Sequence, residues 1–171
     1  MLSKFEFDAL AEWHYSEGEW NEFVTIEKAN KKEDNIYFGI GILVLSTIGL
    51  MIFRNTSFLT ALTFAIPFSI LIPYLRMRFS YKHLKYNVKK PFVKIYENYI
   101  LINNHKIEVS STKKRIKGLK IIKAKNNLQL LEIDIQWITR KGPTNDEFRV
   151  LIPHNKISEA EKLVNQFYKK V

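Results

Sequence analysis

Residues 35–53 read NIYFGIGILVLSTIGLMIF, and residues 55–75 read NTSFLTALTFAIPFSILIPYL, with Arg54 between them. Neither run contains a charged side chain. As helices with a rise of about 1.5 Å per residue, they would be roughly 28 and 32 Å long, which matches a hydrocarbon core of about 30 Å. A chain of 171 residues is too small to bury two such runs in a soluble core. The sequence therefore predicts a two-helix transmembrane hairpin over residues 36–77, with spans at 36–53 and 57–75.

The first predicted span is rich in small residues, and neither span contains an ionisable group. Small residues let helices approach closely in lipid, so we expect this face to pack against the second helix or against another subunit. Ionisable residues inside a membrane mark transport pathways, and their absence favours an anchor over a transport path. The small residues of the predicted packing face are Gly39, Gly41, Ser46 and Gly49.

Charge divides the chain into three parts around the hairpin. Residues 1–35 carry a net charge of −5, residues 36–77 carry +2 and residues 78–171 carry +13, which gives +10 overall. Lys and Arg accumulate on the cytoplasmic side of membrane proteins, and here they flank both ends of the hairpin, whereas its tip has only Arg54. This distribution predicts that both termini are cytoplasmic.

The acidic N-terminal segment, residues 1–35, predicts a short strand or helix and then a helix over residues 17–31. Ser16 and Glu19 match a capping box, in which each side chain satisfies a free amide at the start of a helix. Trp20 and Phe23 follow at helical spacing. They could lie at the lipid interface or pack on the basic C-terminal domain, and the opposite charges of the two regions favour the domain.

After a basic juxtamembrane connector at residues 78–90, the hydrophobic pattern of residues 91–171 has a period of two. Alternation over residues 131–137 predicts a half-buried strand with Trp137 in the core and Glu132 and Asp134 on a solvated face. Phe148 and Phe167 are predicted to share that core. Further strands are predicted at residues 92–97, 99–103, 106–109, 119–125 and 148–152.

Turns and one helix complete the predicted C-terminal domain. Asn103-Asn104 and residues 142–146 have the composition of turns. Ser158 and Glu161 match a second capping box ahead of an amphipathic helix. The predicted fold class is therefore α+β: a transmembrane hairpin plus a small antiparallel sheet or open barrel that a C-terminal helix closes.

The order of these parts resembles a known family. The stretch YSEGEWNEF at residues 15–23, two close spans, a basic connector and LIP at residues 151–153 ahead of a closing helix resemble the YcxB-like bacterial membrane proteins. The resemblance implies a pleckstrin-homology-like (PH-like) C-terminal domain and a location in the bacterial inner membrane. The first hairpin, residues 94–99, lacks the arginine pair of phosphoinositide-binding PH domains, so headgroup specificity of that type is not expected.

The motifs of common enzymes and cofactor sites are missing from the sequence. The histidines at positions 14, 83, 105 and 154 have no metal-ligand spacing, and there is no cysteine. Phosphate loops and nucleophile elbows are also absent from the sequence. We therefore expect no enzymatic activity, no cofactor and no metal, and the membrane location argues against nucleic acid as a partner.

Two basic clusters are the candidate binding residues. The connector cluster comprises the basic residues from Arg76 to Lys90, and it either contacts anionic lipid headgroups or only sets the topology. The second cluster either contacts lipid or pairs with the acidic N-terminal segment, and its members are Lys113, Lys114, Arg115, Lys117, Lys120, Lys123 and Lys125. The residues predicted to reach lipid headgroups are Arg76, Arg78, Lys82, Lys85, Lys89, Lys90, Lys113, Lys114, Arg115 and Lys117.

Two functions are compatible with this organisation. The first is a non-enzymatic, membrane-anchored interaction module whose PH-like domain contacts proteins, anionic lipids or both, with a protein partner or a second copy of the chain expected. The alternative is an accessory subunit of a transporter or larger membrane complex that assembles through the transmembrane hairpin.

Overall fold

The structure is a computed structural model that describes residues 9–170. The chain has an α+β fold with two long apolar helices, two antiparallel sheets and a C-terminal helix. It divides into two compact units. The β domain contains residues 9–23 and 86–170 of the described chain, and the helical hairpin unit contains Val24–Lys85.

Seven strands form the two sheets of the β domain. The first sheet has the order β1 (Ala11–His14), β2 (Phe92–Ile95), β3 (Tyr99–Ile102) and β4 (His105–Glu108). The second sheet has the order β5 (Lys114–Lys123), β6 (Gln129–Thr139) and β7 (Gly142–Leu151). Every neighbouring pair is antiparallel. The expected Asn103-Asn104 turn joins β3 to β4, and both asparagines have a positive φ.

Strand β1 comes from the N-terminal segment, although its partner β2 lies far along the chain. Trp13 is opposite Val93 in the register and is fully buried. Its indole Nε1 donates a hydrogen bond to Glu159 Oε1 at 3.2 Å. Leu10–Tyr15 was ambiguous between strand and helix in the sequence, and it is extended because β2 supplies its backbone partners. The N-terminal residues are thus an integral part of the β domain.

Helix α1 (Glu17–Arg54) begins at the predicted capping box. The amide of Glu19 donates to Ser16 Oγ at 3.2 Å, and the amide of Ser16 donates to Glu19 Oε2 at 3.0 Å. Trp20 and Phe23 are buried within the β domain. The helix predicted to end at residue 31 instead continues into the first apolar run, because residues 24–38 contain no glycine or proline that would end it.

Three side chains around the start of α1 tie it to the rest of the β domain. The Tyr15 hydroxyl donates to the carbonyl of Leu151 at 2.7 Å. The amide of Asn87 donates to Asn21 Oδ1 at 2.9 Å, and the side chain of Asn126 donates to Glu22 at 3.1 Å. Residues 15–22 are therefore held by hydrogen bonds to three separate parts of the domain.

Helix α2 (Phe58–Ser80) follows a short turn in which Asn55 has a positive φ and Ser57 is the N-cap. Both α1 and α2 are long and apolar enough to span a membrane, and only 11% of the most apolar window of each is buried. Pro67 and Pro73 lie inside α2 without ending it. The helix extends five residues beyond the predicted end of the second span.

Within the helical hairpin unit, Gly39 of α1 lies directly against α2. A Cβ atom at Gly39 would lie 2.8 Å from the carbonyl oxygen of Ser69 and 3.3 Å from Pro73 Cγ. At Gly41 and Gly49 a Cβ would meet no atom within 4 Å. Gly39 therefore lets α1 meet α2, and Gly41 and Gly49 do not have this role inside the hairpin.

The turn between β6 and β7 is shorter than predicted. Residues 142–146 form the start of β7, and Arg140 and Lys141 make the connection. Gly142 has a φ of +115°, which only glycine adopts readily. Pro143 fits in the strand because β7 lies at the edge of its sheet, where a missing amide donor is tolerated.

Helix α3 (Ile157–Lys170) packs next to β5 and the core. A short 3-10 turn over His154–Lys156 precedes it, so Ser158 lies inside the first turn and the predicted capping box at Ser158 and Glu161 is wrong. A cavity of about 340 Å³ lies between the two sheets and α3. Phe167 lines this cavity and is half-buried, as is Phe148, so neither is the fully buried core residue that was predicted.

Candidate membrane-contacting site

The connector cluster is exposed, and part of it lies on helix α2. Arg76 and Arg78 belong to the last turns of α2. The Arg76 guanidinium lies 5.2 Å from the ring centroid of Phe38, and Lys82 Nζ lies 5.2 Å from that of Phe79. Lys and Arg stems that lie along aromatic rings keep their charged ends in water. The exposed basic residues of this cluster are Arg76, Arg78, Lys82, Lys85, Lys89 and Lys90.

The second basic cluster does not form one continuous face. The register of β5 against β6 shifts between Ile116 and Gly118, so Lys117 is the extra residue of a bulge and is exposed. The Arg115 guanidinium donates to Gln136 Oε1 from Nε at 2.8 Å and from Nη2 at 2.5 Å. Gln136 in turn donates to Asn145 at 3.0 Å. Arg115 is therefore part of a cross-strand network on the second sheet.

Trp137 is not in the core, which corrects the sequence prediction. Its side chain is 40% exposed, and that of Ile138 is 54% exposed. The alternation did assign the correct face, because Leu131, Ile133 and Ile135 are buried as predicted. Strand β6 continues beyond the end of the core. The alternation of apolar and polar residues cannot show at which position the strand is no longer packed against other elements.

We call residues 137–144, the end of the β6–β7 hairpin, the β6–β7 tip. Lys113 joins it, because its carbonyl accepts a hydrogen bond from the amide of Ile138 at 2.9 Å. Lys114 Nζ lies 4.1 Å from the centroid of the Trp137 ring. The tip itself contributes Arg140 and Lys141. Residues 111–114 and 137–144 together contain four basic side chains and no acidic one.

This grouping was missed because its members lie in two separate stretches of sequence. Lys113 and Lys114 were assigned to the second cluster, and Arg140 and Lys141 were not predicted to bind anything. A usable signal was the run WITRKGPT at residues 137–144, in which aromatic, basic and turn residues meet. Its connection to Lys113 depends on the pairing of β5 with β6.

Glu132 is buried, with 3% of its surface exposed, so the predicted solvated face is wrong at this position. Lys120 Nζ lies 2.8 Å from Glu132 Oε1, and Arg149 Nε donates to Oε2 at 2.8 Å. Burial alone would raise the pKa of Glu132, but hydrogen bonds from Lys120 and Arg149 outweigh it and lower this pKa below its usual value. The same contact raises the pKa of Lys120.

Glu132, Asp134 and Glu147 place carboxylate oxygens within 4.8 Å of one another. Oxygen clusters of this kind are the ligands that divalent cations prefer. Here Arg149 also reaches Glu147, with Nη2 at 2.8 Å from Oε2. The carboxylates of Glu132 and Glu147 therefore already form ion pairs with Lys120 and Arg149.

The acidic N-terminal segment forms ion pairs outside the second basic cluster. Glu12 Oε2 lies 3.0 Å from Lys94 Nζ on the neighbouring strand, and this contact lowers the pKa of Glu12. Glu27 lies 3.7 Å from Lys31, one helical turn away. These pairs stabilise local structure. Pairing of the N-terminal segment with the second basic cluster, Lys113 to Lys125, stays a prediction.

Comparison with family models, curated proteins and solved structures found no match to this chain. A functional proposal for this chain therefore rests on the arrangement of its own residues. Two features of the described residues stand out: an exposed apolar surface on the helical hairpin unit, and a basic, partly apolar β6–β7 tip on the β domain.

Proposed function

We propose that this chain is a non-enzymatic, membrane-anchored interaction module of the bacterial inner membrane. In this proposal the helical hairpin unit crosses the membrane twice and both termini lie in the cytoplasm. The β domain is PH-like and contacts anionic lipid headgroups and protein partners at the cytoplasmic face. The PH-like fold and the bacterial inner membrane enter this proposal through the resemblance of the sequence to the YcxB-like proteins.

The observation that carries the proposal is the exposure of apolar side chains on α1 and α2. A core helix of a soluble protein would be mostly buried, whereas these two apolar windows are only 11% buried. Large side chains such as Leu45, Phe53 and Leu59 are at least 73% exposed. Contiguous apolar surface of this extent needs lipid or a partner to cover it. Helix length favours lipid, since α2 would be roughly 35 Å long.

The order of elements supports a PH-like domain. Four strands, then three, then one closing helix make two antiparallel sheets with α3 beside the core. In this chain the helical hairpin unit is inserted between β1 and β2. In this proposal residues 9–23 are the first part of the β domain. The connector then leads the chain from the second span back to the β domain.

The proposed topology is tested by labelling single cysteines, since the chain has none of its own. Asn55→Cys should react with a membrane-impermeant maleimide in intact spheroplasts. The matched variant Ser158→Cys, at an exposed position of α3, should react only after the membrane is opened. Labelling of Ser158→Cys in intact spheroplasts, or release of the chain by alkaline carbonate, would contradict the proposal.

One observation favours the alternative, an accessory subunit of a transporter or larger complex. A groove on the helical hairpin unit is lined by Ser46, Gly49, Phe64 and Phe68, and Gly49 has open space beyond its Cα. Small residues on a lipid-facing surface allow another helix to approach. Co-purification in mild detergent separates the two functions: loss of a bound protein on Gly49→Leu favours the accessory subunit, and its loss on surface changes of the β domain favours the module.

A further inference from the structure

We propose that the β6–β7 tip inserts Trp137 and Ile138 into the headgroup region of an anionic leaflet. This inference rests on the proposed function and names the lipid-contacting element of the β domain. The tip would be a second membrane contact, separate from the helical hairpin unit. Its ligand is an anionic lipid surface, recognised through charge and aromatic insertion and not through one particular headgroup.

The first support is the pattern of exposed apolar side chains on the β domain. The large apolar residues exposed in its described part are Leu10, Tyr86, Trp137, Ile138 and Tyr168. Among them Trp137 and Ile138 alone are adjacent in sequence, and they point to opposite faces of the same strand end. A strand end that is apolar on both faces can enter an interface with little rearrangement.

The second support is the local charge. Lys113, Lys114, Arg140 and Lys141 lie in the two stretches that form this end of the sheet, which contain no acidic residue. Glu108 of β4 lies 3.9 Å from Lys114, which leaves Lys113, Arg140 and Lys141 as the exposed cations of the tip. Each basic side chain near an anionic membrane strengthens the contact about fivefold. Glu132 and Glu147 of the same sheet are engaged by Lys120 and Arg149.

The third support is the chemistry of tryptophan. Indole rings concentrate at membrane–water interfaces, where an apolar ring and a polar N–H are both satisfied. Lys114 covers one side of the Trp137 ring at 4.1 Å and is itself only slightly exposed. Lys114 Nζ also donates to the carbonyl of Glu108 at 3.2 Å and lies 3.9 Å from Glu108 Oε2, so it is held in place beside the ring. A leaflet would supply the partner that the exposed indole lacks.

The chain is well suited to a test by fluorescence. It has three tryptophans, and Trp13 and Trp20 are fully buried. The full chain is reconstituted in vesicles whose lipids carry bromine on the acyl chains, with either neutral or anionic headgroups. We expect bromine to quench emission in anionic vesicles, and we expect Trp137→Phe to remove most of this quenching. Raising the salt concentration should also weaken it.

Charge variants at matched positions complete the test. The double variant Arg140→Glu with Lys141→Glu should lower the ratio of membrane-inserted to free β6–β7 tip by at least about 25-fold. Lys162→Glu with Lys169→Glu makes the same charge change at exposed positions of α3 and should leave the quenching unchanged. Equal effects of the two pairs would mean that only net charge matters and would overturn the proposal.

Failure of this inference can be told apart from failure of the proposed function. If Asn55→Cys labelling supports the two-span anchor but bromine quenching does not depend on Trp137, the tip is not inserted. If Trp137 becomes protected from aqueous iodide only when a protein is added, the tip is a protein-binding site and the lipid proposal is wrong. If the chain is released by carbonate, the proposed anchor itself fails.

Discussion

Glu132 is the residue at which charge and burial are most closely linked. Its carboxylate accepts from Lys120 and Arg149, which lie on the two neighbouring strands. A buried ion pair gains little over a well-packed apolar core, but removing one partner leaves the others without their counter-charge. Glu132 therefore links all three strands of the second sheet through its two ion pairs.

We predict that Glu132→Gln lowers the free energy of unfolding of the β domain by about 1–3 kcal/mol at neutral pH. The pKa of Glu132 is lower in the folded chain than in the unfolded chain, where it is near 4.5. The stabilisation is thus present above that value and is lost as the pH falls through the folded pKa. The measurement is unfolding of the full chain in detergent at several pH values, followed by tryptophan emission.

Glu161→Gln, at an exposed position on α3, is the matched control and should change stability little at any pH. The difference in free energy of unfolding between the wild-type chain and Glu132→Gln should become smaller below pH 4.5. A gap that stays constant down to strongly acidic pH would mean that shape and not charge explains the effect of the substitution.

Trp137 and Glu132 show why residue-level prediction from this sequence was incomplete. The alternation of β6 identified the two faces of the strand, and burial of Leu131, Ile133 and Ile135 confirms one of them. Whether a position on a face is covered depends on residues from other strands and helices. Those partners are distant in sequence, so the pattern predicted neither the exposed indole nor the buried carboxylate.

At the scale of elements, the two predicted capping boxes make a direct comparison. Ser16 and Glu19 form the reciprocal bonds of the motif, and the bonds from Ser16 lower the pKa of Glu19. Ser158 has the same sequence spacing to Glu161 but lies within α3, after a 3-10 turn. The pattern therefore locates a helix start only where no other turn begins the helix first.

We predict that Ser16→Ala destabilises the β domain by about 1 kcal/mol, because a free amide loses its acceptor. Ser158→Ala should change the free energy of unfolding by less than about 0.5 kcal/mol, since alanine has the higher helix propensity. Thermal unfolding followed by near-ultraviolet circular dichroism compares the two variants. An equal loss for both would indicate that neither serine acts as a cap.

The element that the sequence could not place is β1. The long apolar runs, the Asn103-Asn104 turn and the periodic strand β6 were all predicted from local patterns. The pairing of Ala11–His14 with β2 is a contact between stretches separated by two long helices. Local propensity has no information about such a partner, and only the acidic charge of the segment suggested docking on the domain.

For the whole molecule, we predict that the β domain folds without the helical hairpin unit. Residues 24–85 would be replaced by a short Gly/Ser linker, which is enough because Asn21 and Asn87 are in hydrogen-bond contact. This chain should be soluble without detergent and show the near-ultraviolet signal of buried tryptophan. The control is a chain of residues 86–171 alone.

The control chain should aggregate. It lacks β1 and the buried residues Trp13, Tyr15, Trp20 and Phe23, so β2 becomes an open sheet edge and the core loses four aromatic side chains. If residues 86–171 fold equally well alone, the N-terminal strand is an addition to the domain and not part of its core.

The insertion of the helical hairpin unit between β1 and β2 has a consequence for biosynthesis. Ala11–His14 leaves the ribosome first, and its partner Phe92–Ile95 follows only after both long helices have been made. At about 5–20 residues per second, the interval of roughly 80 residues lasts about 4–16 s. On the proposed topology, delivery of the two spans into the bilayer comes within this interval. The β domain therefore closes only after both long helices have been made, and until then the edge of β1 has no strand partner.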